Sequence, residues 1–444
     1  MKRYPYEMET LIHSTMQIGR IQTLMQFPVI ANDSIELVMP TILRMSPFRR
    51  NLSVDARVDL FAFYVPHRHV YGQQWVDFLL QGVDEQITLP GYQMSGGTYS
   101  LGIPARSNLQ VAKHCIAGYN QIWNRYFRHP SDRTENHNDD KWIGEVADDA
   151  AVEIGEPNSE IERARKYGRR AARLKDLLTT GIVQTINGSD REVGTLGNNF
   201  DVVDLERVKS RYTSEMDRDY KVGAGRYTDL MMNVFGASPV NTDADQRPTL
   251  LAHQSQWLSG YDVDGTGDGS LGQYAGRSAG QYMFGFPKRY FKEHGTIWLL
   301  ALVRYPSLRH GEVNPLIKPN LGYKAQAGDP LIVSAEPPID LNIQDYYLQT
   351  TQTTVGEKIP YGQWYRDMPK GMLHPDYEIV QGFPFEDYAT DWSVFRDMHY
   401  VETKRFDQIF QTIQLAHLQV AAKTNFNVDR IVPPAGWSIQ AGGA

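Results

Sequence analysis

The chain has only one cysteine, Cys115, among its 444 residues. An intramolecular disulfide is therefore excluded, which fits folding in a reducing cytoplasm. No apolar run reaches the ~18 residues that a membrane-spanning helix needs. The first residues, Met1-Lys-Arg-Tyr-Pro5, lack the apolar core of a signal peptide. These features predict neither a transmembrane helix nor a secretory leader.

Basic residues are not in excess. The 45 Lys and Arg residues stand against 52 Asp and Glu residues, so the formal charge is −7 at pH 7. This balance argues against a protein that coats nucleic acid by itself. A container for nucleic acid is not excluded, but its contents would need cations from another source, such as a small basic protein, polyamines or metal ions.

Catalytic signatures are also missing. The sequence has neither a G-x-S-x-G nucleophile elbow nor a phosphate-binding P-loop. His67 and His69 have the spacing of the metal pair in cupin-type barrel enzymes, but Gln73 and Gln74 stand where an acidic third ligand is needed. The pair also follows Pro66, outside the preceding strand. We therefore interpret both histidines as structural hydrogen-bonding residues and predict no enzyme activity.

What the chain does contain favours a mainly β fold. Hydrophobic residues make up 41% of it, enough for a core, and 37 Gly with 24 Pro indicate many turns and long loops. Residues 58–65 are apolar on both alternating faces, which predicts a strand buried on both sides. Further strands are predicted at residues 20–29, 34–43, 296–305, 408–415 and 424–429.

Helices are predicted between these strands. Apolar residues recur at helical spacing in residues 109–126, 205–216 and 227–234. Cys115 falls on the apolar side of the first of these helices, so we interpret it as core filler and not as a nucleophile. Widely separated strands with helices between them predict one barrel that carries long inserted loops.

A family resemblance rests on a dozen sequence blocks that occur in order along nearly the whole chain. Five of them are FYVPHRHVYG within residues 58–75, PVIANDS at 28–34, YNQIWNRYF at 119–127, EHGT at 293–296 and LALVRYP at 300–306. With these blocks the chain resembles the major capsid protein (F protein) family of Microviridae, the single-stranded DNA phages of the phiX type. The match is poorest at about residues 136–205.

The resemblance implies a fold and a function. The implied fold is mainly β: an eight-stranded antiparallel jelly-roll barrel with long helix-containing loop insertions, in one domain spanning 1–444. Residues 136–205 are a candidate variable surface insertion, and residues 433–444 are expected to form a loosely ordered tail. The implied function is self-assembly through pentamers into a T=1 icosahedral shell around circular single-stranded DNA. The protein would then belong to the virion and assemble in the bacterial host cytoplasm.

The resemblance also implies partners. Besides further copies of the chain, these are a scaffolding protein, a small basic DNA-packaging protein, a DNA pilot protein, packaged single-stranded DNA and host surface polysaccharide. A separate spike protein stays open, because some Microviridae build threefold protrusions from an insertion in the capsid protein instead.

Basic residues give two sets of candidate contacts. Lys2, Arg3, Arg49 and Arg50 are candidate contacts to nucleic acid. A second basic segment comprises Arg163, Arg165, Lys166, Arg169, Arg170 and Arg173. This segment could form a nucleic-acid-binding helix, but we favour a solvated amphipathic helix with an exposed or intersubunit role.

An acidic loop is a weak candidate metal site. Asp262, Asp264 and Asp268 resemble the start of a calcium loop, but Gln273 occupies the twelfth position, where a bidentate Glu belongs. A solvated turn is the preferred interpretation, and no cofactor is predicted. A divalent cation at subunit contacts stays open.

The main alternative function is a lectin-like jelly roll that acts as a spike or receptor-binding protein. The 25 Tyr and 8 Trp residues suit a sugar-binding surface, but the same residue types also dominate subunit interfaces. The oligomeric state discriminates, since a lectin stays a small oligomer whereas a capsid protein forms pentamers or particles.

Overall fold

The structure is a computed structural model. It describes the following residues: 3–47, 55–80, 88–94, 99–103, 109–128, 166–172, 248–258, 260–261, 277–305, 339–342, 354–358, 410 and 416–430.

Strands dominate these residues, and every strand pairs antiparallel. In chain order they are β1 (Tyr4–Met16), β2 (Gln22–Val29), β3 (Ser34–Met45), β4 (Ala56–Pro66), β5 (Gly91–Met94), β6 (Leu109–Ala112), β7 (Thr249–Leu258), β8 (Gly260–Tyr261), β9 (Arg277–Tyr290), β10 (Gly295–Arg304), β11 (Ile339–Asn342), β12 (Thr354–Lys358) and β13 (Leu418–Arg430).

Two larger sheets carry the architecture. A five-stranded sheet has the order β1-β13-β3-β9-β8, and a four-stranded sheet has the order β2-β10-β4-β7. Two separate two-stranded sheets are formed by β5 with β6 and by β11 with β12. The last strand, β13, therefore lies between two strands from the start of the chain.

The main core lies between the two larger sheets. Alternate residues of β3 and β13 point inward and are buried, as the period of two in a strand requires. The inner faces meet in one apolar cluster, within which the rings of Phe27 on β2 and Phe426 on β13 stack at 4.0 Å between centroids. In β13 the alternation of buried Phe426 and Val428 with Asn425 and Asn427 confirms the predicted sheet with one wet face.

The two central strands of the four-stranded sheet, β4 and β10, are buried on both faces. Alternate residues of β4 and β10 enter the main core, and the remaining ones enter a second apolar cluster on the opposite face. This second cluster includes Phe61, Phe63 and Trp298 from the sheet and Ile116 and Ile122 from a helix above it. The prediction that residues 58–65 form a doubly buried strand is confirmed.

Short helices form the layer over this second face. The described residues contain α1 (His67–Tyr71), α2 (Gln73–Leu80), α3 (His114–Ile122), a 3-10 turn at Tyr99–Leu101 and a π-helical turn at Trp123–Phe127 that continues α3. None of these described helices is long and apolar enough to span a membrane.

The structure corrects part of the helix prediction at residues 109–126. Leu109 and Ala112 belong to β6, which pairs with β5, and the helix begins only at His114. Strands β1, β7 and β9 were not predicted at all. The predicted helices at 205–216 and 227–234 lie outside the described residues, as does most of the predicted strand at 408–415.

A buried ion pair closes the turn between β2 and β3. Asp33 is fully buried, and its carboxylate accepts hydrogen bonds from Arg430 Nη2 at 2.8 Å and from the backbone N–H of Ile30 at 2.8 Å. Arg430 Nη2 also donates to the carbonyl of Pro28. Asn32 takes a left-handed conformation (φ 76°) in this turn, which asparagine tolerates better than most residues. The end of β13 is thereby tied to the β2–β3 turn.

Candidate assembly surface

Two of the resemblance blocks meet in space where β4 runs into α1. Pro66 is the last residue of β4, and the next backbone N–H, that of His67, donates to the carbonyl of His294 at 2.9 Å. Tyr64 donates its hydroxyl to the carbonyl of Glu293 at 2.7 Å. Arg68 makes a bidentate ion pair with Glu293, with 3.0 Å for each nitrogen–oxygen pair. These contacts bring the blocks FYVPHRHVYG and EHGT together in space.

His67, the first residue of α1, lies in a cluster of aromatic and histidine rings. Its Nε2 is 3.0 Å from Thr296 Oγ1, and its ring lies 4.4 Å from that of His114 and 4.7 Å from that of Trp75. The expected hydrogen-bonding role is therefore confirmed for His67. Burial, together with the charges of His114 and His294, lowers the pKa of His67 to about 3.

The structure places His67 and His69 on a helix, not on a strand. Residues two apart on a helix are rotated by about 200°, so the two rings do not share a face. The backbone carbonyl of His69 accepts a hydrogen bond from Gln121 Nε2 of α3. Within the part of the chain that the structure describes, no three His, Cys, Asp or Glu side chains are grouped to hold a metal ion.

We expect His67→Gln to flatten the pH dependence of stability. The folded-state pKa of His67 is depressed from 6.5 to about 3, so its stabilising contribution is complete above pH 6.5 and is lost as the pH falls toward 3. Over that window the unfolded chain binds a proton that the folded chain does not, which costs about 1.4 kcal/mol per pH unit. Urea titrations at pH 7, 6 and 5 measure this slope. His13→Gln, at an exposed position on β1, is the control for the loss of a histidine; an unchanged slope in His67→Gln, or the same slope in both variants, contradicts the prediction.

A second buried polar cluster joins three neighbouring strands of the four-stranded sheet. Asp59 of β4 is fully buried and accepts hydrogen bonds from Arg304 of β10 at 2.6 Å, from Arg57 at 3.2 Å and from His253 of β7 at 3.2 Å. Burial by itself raises the pKa of Asp59, but the charge and hydrogen bond of Arg304, with bonds from Ser255 and His253, outweigh it and hold the pKa below its usual value. The cluster fixes the pairing of β4 with β7.

The described part of the basic segment, residues 166–172, differs from the predicted solvated helix. Only Lys166 and Tyr167 are helical in it, and Arg169 is buried with 1% of its surface exposed. The Arg169 guanidinium lies 4.3 Å from the centroid of the Trp123 ring, a cation–π contact. Its backbone carbonyl accepts from the N–H of Ile21 and its N–H donates to the hydroxyl of Tyr119. The expected exposed position is thus wrong for Arg169.

Gly168 explains how this segment approaches the fold so closely. Its φ of +92° lies in the region that favours glycine, and a Cβ on it would lie 1.9 Å from the carbonyl oxygen of Ile21. Arg20 donates to the Gly168 carbonyl at 2.8 Å, and Trp123 Nε1 donates to the Arg170 carbonyl at 2.7 Å. Residues 166–172, which belong to the range 136–205, therefore pack closely against Arg20, Ile21 and Trp123.

Some of the other predicted site residues are described by the structure, and the rest lie outside the described residues. Arg3 donates to Ser34 Oγ at 3.0 Å and to Asn32 Oδ1, and its guanidinium lies 5.2 Å from the ring centroid of Tyr290. Cys115 is half-buried in α3, and burial raises the pKa of its thiol, which suits core filler. The positions outside the described residues are Lys2, Arg49, Arg50, Arg163, Arg165, Arg173, Asp262, Asp264 and Asp268.

A feature missed from the sequence lies along β7, the edge strand of the four-stranded sheet. Trp257 is 59% exposed and Leu250 is 39% exposed on this strand, and Tyr126 beside it is 40% exposed. Tyr126 donates its hydroxyl to the carbonyl of Pro248, which holds the ring against the start of the strand. Apolar surface of this kind is typical of protein–protein contacts.

A groove opens at the Leu250 end of this edge. The groove has a volume of about 370 Å³, and basic, acidic and apolar residues line it. These are Tyr64, Pro66, Arg68, His69, Tyr126, Pro248, Thr249, Leu250, Lys292 and Glu293. The Arg68–Glu293 ion pair forms part of its wall.

In the sequence, an alternation of apolar residues was the available signal for the strand β7. Polar Gln and Ser residues interrupt this alternation and hide the strand.

The known proteins that this chain is similar to are phage capsid proteins. The family described as "Capsid protein (F protein)" matches residues 1–200 and 195–439. Capsid protein F of Escherichia phage G4 is 36% identical over 98% of this chain and 97% of its own length. Capsid protein F of Enterobacteria phage phiK is 34% identical, and that of Escherichia phage alpha3 is 33% identical, each over 95% of this chain and 94% of its own length.

These matches cover both larger sheets, the helical layer and the β7 edge. The chain therefore belongs to the capsid protein (F protein) family of the Microviridae, and it is a major capsid protein that assembles with copies of itself into the shell of the virion.

Proposed function

We propose that this chain assembles through pentamers into a closed T=1 icosahedral shell of sixty copies around a circular single-stranded DNA genome. The observation that carries the proposal is the similarity to three phage F capsid proteins over at least 95% of the chain. Similarity at both ends and throughout the middle favours the same assembly and not the reuse of one part of the fold.

We further propose that the two larger sheets form an eight-stranded jelly roll. The orders β1-β13-β3-β9 and β2-β10-β4-β7 support it, because the chain changes sheet at nearly every step between these eight strands. Such double-sheet barrels are frequent in viral capsids. The described helices, with their π-helical turn, all fall between β4 and β7, where a long insertion covers one face of the four-stranded sheet.

The whole chain is proposed to be one capsid domain. We propose that the range 136–205 is a variable surface insertion, and the described residues 166–172 within it pack against the barrel. The tail at 433–444 is proposed to be loosely ordered, or ordered only by neighbouring proteins.

Charge supports a role for additional partners. A chain with a formal charge of −7 that encloses DNA does not neutralise its cargo. We propose a small basic DNA-packaging protein for that task. The remaining proposed partners are a scaffolding protein, a DNA pilot protein, host surface polysaccharide and, where threefold protrusions are absent, a spike protein.

Lys2, Arg3, Arg49 and Arg50 are the proposed contacts to the genome. Arg3 is exposed and basic, and its contacts to Asn32, Ser34 and Tyr290 hold its guanidinium in a fixed place. No catalytic role and no resident cofactor are proposed. A divalent cation at subunit contacts, with Asp262, Asp264 and Asp268 as its ligands, is the weaker proposal.

Electron microscopy tests the proposed function. The chain is produced in bacteria together with the other structural proteins of its phage, and the products are separated by sedimentation. We expect pentamers and closed icosahedral particles of sixty copies. A small stable oligomer that binds glycans and never closes into particles would favour the lectin-like alternative.

A further inference from the structure

Within the described residues, the four edges of the two larger sheets differ in their protection. An unpaired strand edge is a template for pairing with another chain, and folded proteins block it with charges, proline or a covering element. On the five-stranded sheet, β1 carries Pro5, Glu7 and Glu9. The opposite edge is formed by β9 beyond its short pairing with β8, and β9 carries Pro287 and Lys288 near its end. Both of these edges therefore have the usual protection.

On the four-stranded sheet, β2 is also protected. It contains Pro28, and the side chains of Gln22 and Gln26 donate hydrogen bonds to the carbonyls of Ser100 and Leu101 in the neighbouring 3-10 turn. Most residues of β2 are buried. The covering turn prevents another strand from pairing there.

The β7 edge differs from the other three. Its sequence, TLLAHQSQWL, has no Asp, Glu, Lys, Arg or Pro over ten residues. Among the residues that the structure describes, only β4 pairs with it. Large apolar side chains are exposed on β1 (Leu11) and β9 (Met283) as well as on β7 (Trp257 and Leu250), but only on β7 does the strand contain no charged residue or proline. An uncharged ten-residue edge with exposed apolar side chains is a predicted site of association.

The absence of charge also discriminates between occupants. Nucleic acid needs Lys or Arg along its binding surface, and a basic peptide needs Asp or Glu. The strand β7 offers neither. Two copies of this chain each carry −7 and repel one another, so a contact between them is best made through a surface without carboxylates. A second copy is the occupant that this edge suits.

We propose that the β7 edge, with Trp257 and Leu250 as anchors and Tyr126 beside them, is an interface between copies of this chain in the shell. Trp and Tyr side chains at the centre of an interface supply much of its binding energy. The groove next to Leu250, with Arg68, Lys292 and Glu293 in its wall, provides a polar rim to this apolar contact. The proposal rests on the assembly proposed above and names a surface that serves it.

Gln256→Lys tests the proposal. Gln256 is an exposed residue on β7, and a lysine there protects the edge in the way natural edges are protected. We expect the variant to fold with an unchanged melting temperature but to lose at least tenfold in the yield of particles. Trp257→Ala is expected to do the same. The control is Gln419→Lys, at an exposed position on β13, which is paired on both sides by β1 and β3; it is expected to assemble like the wild type.

Photo-crosslinking identifies the occupant. p-Benzoylphenylalanine at position 257 is expected to give, in assembled particles, a product of twice the mass of one chain. A crosslink confined to one chain overturns the proposal, because another segment of the same chain then covers the edge. Wild-type yields from both Gln256→Lys and Trp257→Ala overturn it as well. If the wild type itself never forms shells, the proposed function fails; if the wild type and both variants form shells, only this inference fails.

Discussion

Asp33→Ala is expected to lower the free energy of unfolding by about 3–5 kcal/mol, the usual cost of removing one partner from a buried ion pair. Asp33 is fully buried and Arg430 has 12% of its side chain exposed, so the substitution leaves a guanidinium with little access to water. It also removes the acceptor for the backbone N–H of Ile30. Urea denaturation of the unassembled protein at pH 7, followed by circular dichroism, measures the change.

Asp429→Ala is the matched control. Asp429 of β13 pairs with Lys288 of β9. In this pair 31% of the aspartate and 55% of the lysine side chain are exposed. Solvent-exposed pairs of this kind contribute about 0–1 kcal/mol. Equal losses in Asp33→Ala and Asp429→Ala would show that burial does not decide the contribution of the Asp33–Arg430 pair.

Trp298→Ala is the second substitution with a large expected effect, a loss of about 3–5 kcal/mol, because it leaves a cavity in a close-packed site. Trp298 is fully buried in the middle of β10, opposite Gln26 on β2 and Phe63 on β4. Its indole lies against α3 so closely that a Cβ on Gly118 would be 2.9 Å from Nε1. The indole therefore joins the sheet to the helical layer above it.

Hydrogen exchange separates this local role from a general loss of stability. In Trp298→Ala we expect amides of α3 to exchange faster than those of β3 and β13, which lie in the other sheet. The control is Trp257→Ala, which removes an exposed indole and is expected to change the unfolding free energy by less than about 1 kcal/mol. A loss in Trp257→Ala as large as that in Trp298→Ala would contradict the assignment of the two tryptophans to core and surface.

The sequence predicts those elements whose patterns are local and uninterrupted. The strand β4 is visible because both of its faces are apolar, and β10 because it is a short continuous apolar run. The strand β9 is hidden because Gly280, Gly285 and Pro287 interrupt its alternation. At Leu109 the apolar spacing fits both a short strand and the start of a helix, and only the pairing with β5 decides between them.

The polar sites are harder to predict, since they depend on contacts between distant parts of the chain. Charge alone places Arg169 at the surface, as it does for most arginines. Only the structure shows Trp123 beneath its guanidinium. The cluster around Asp59 likewise requires the registers of β4 with β7 and with β10, which bring His253 and Arg304 to one carboxylate. No sequence spacing contains that information.

The position of β13 between β1 and β3 sets the timing of folding in the cell. Its residues 418–430 pair on both sides with strands that leave the ribosome several hundred residues earlier. Until β13 has been translated, β1 and β3 lack their common neighbour, and a nascent chain presents two incomplete edges. Only a chain that includes residues 418–430 can complete this sheet, so we expect chains that terminate before β13 to be unable to join a particle.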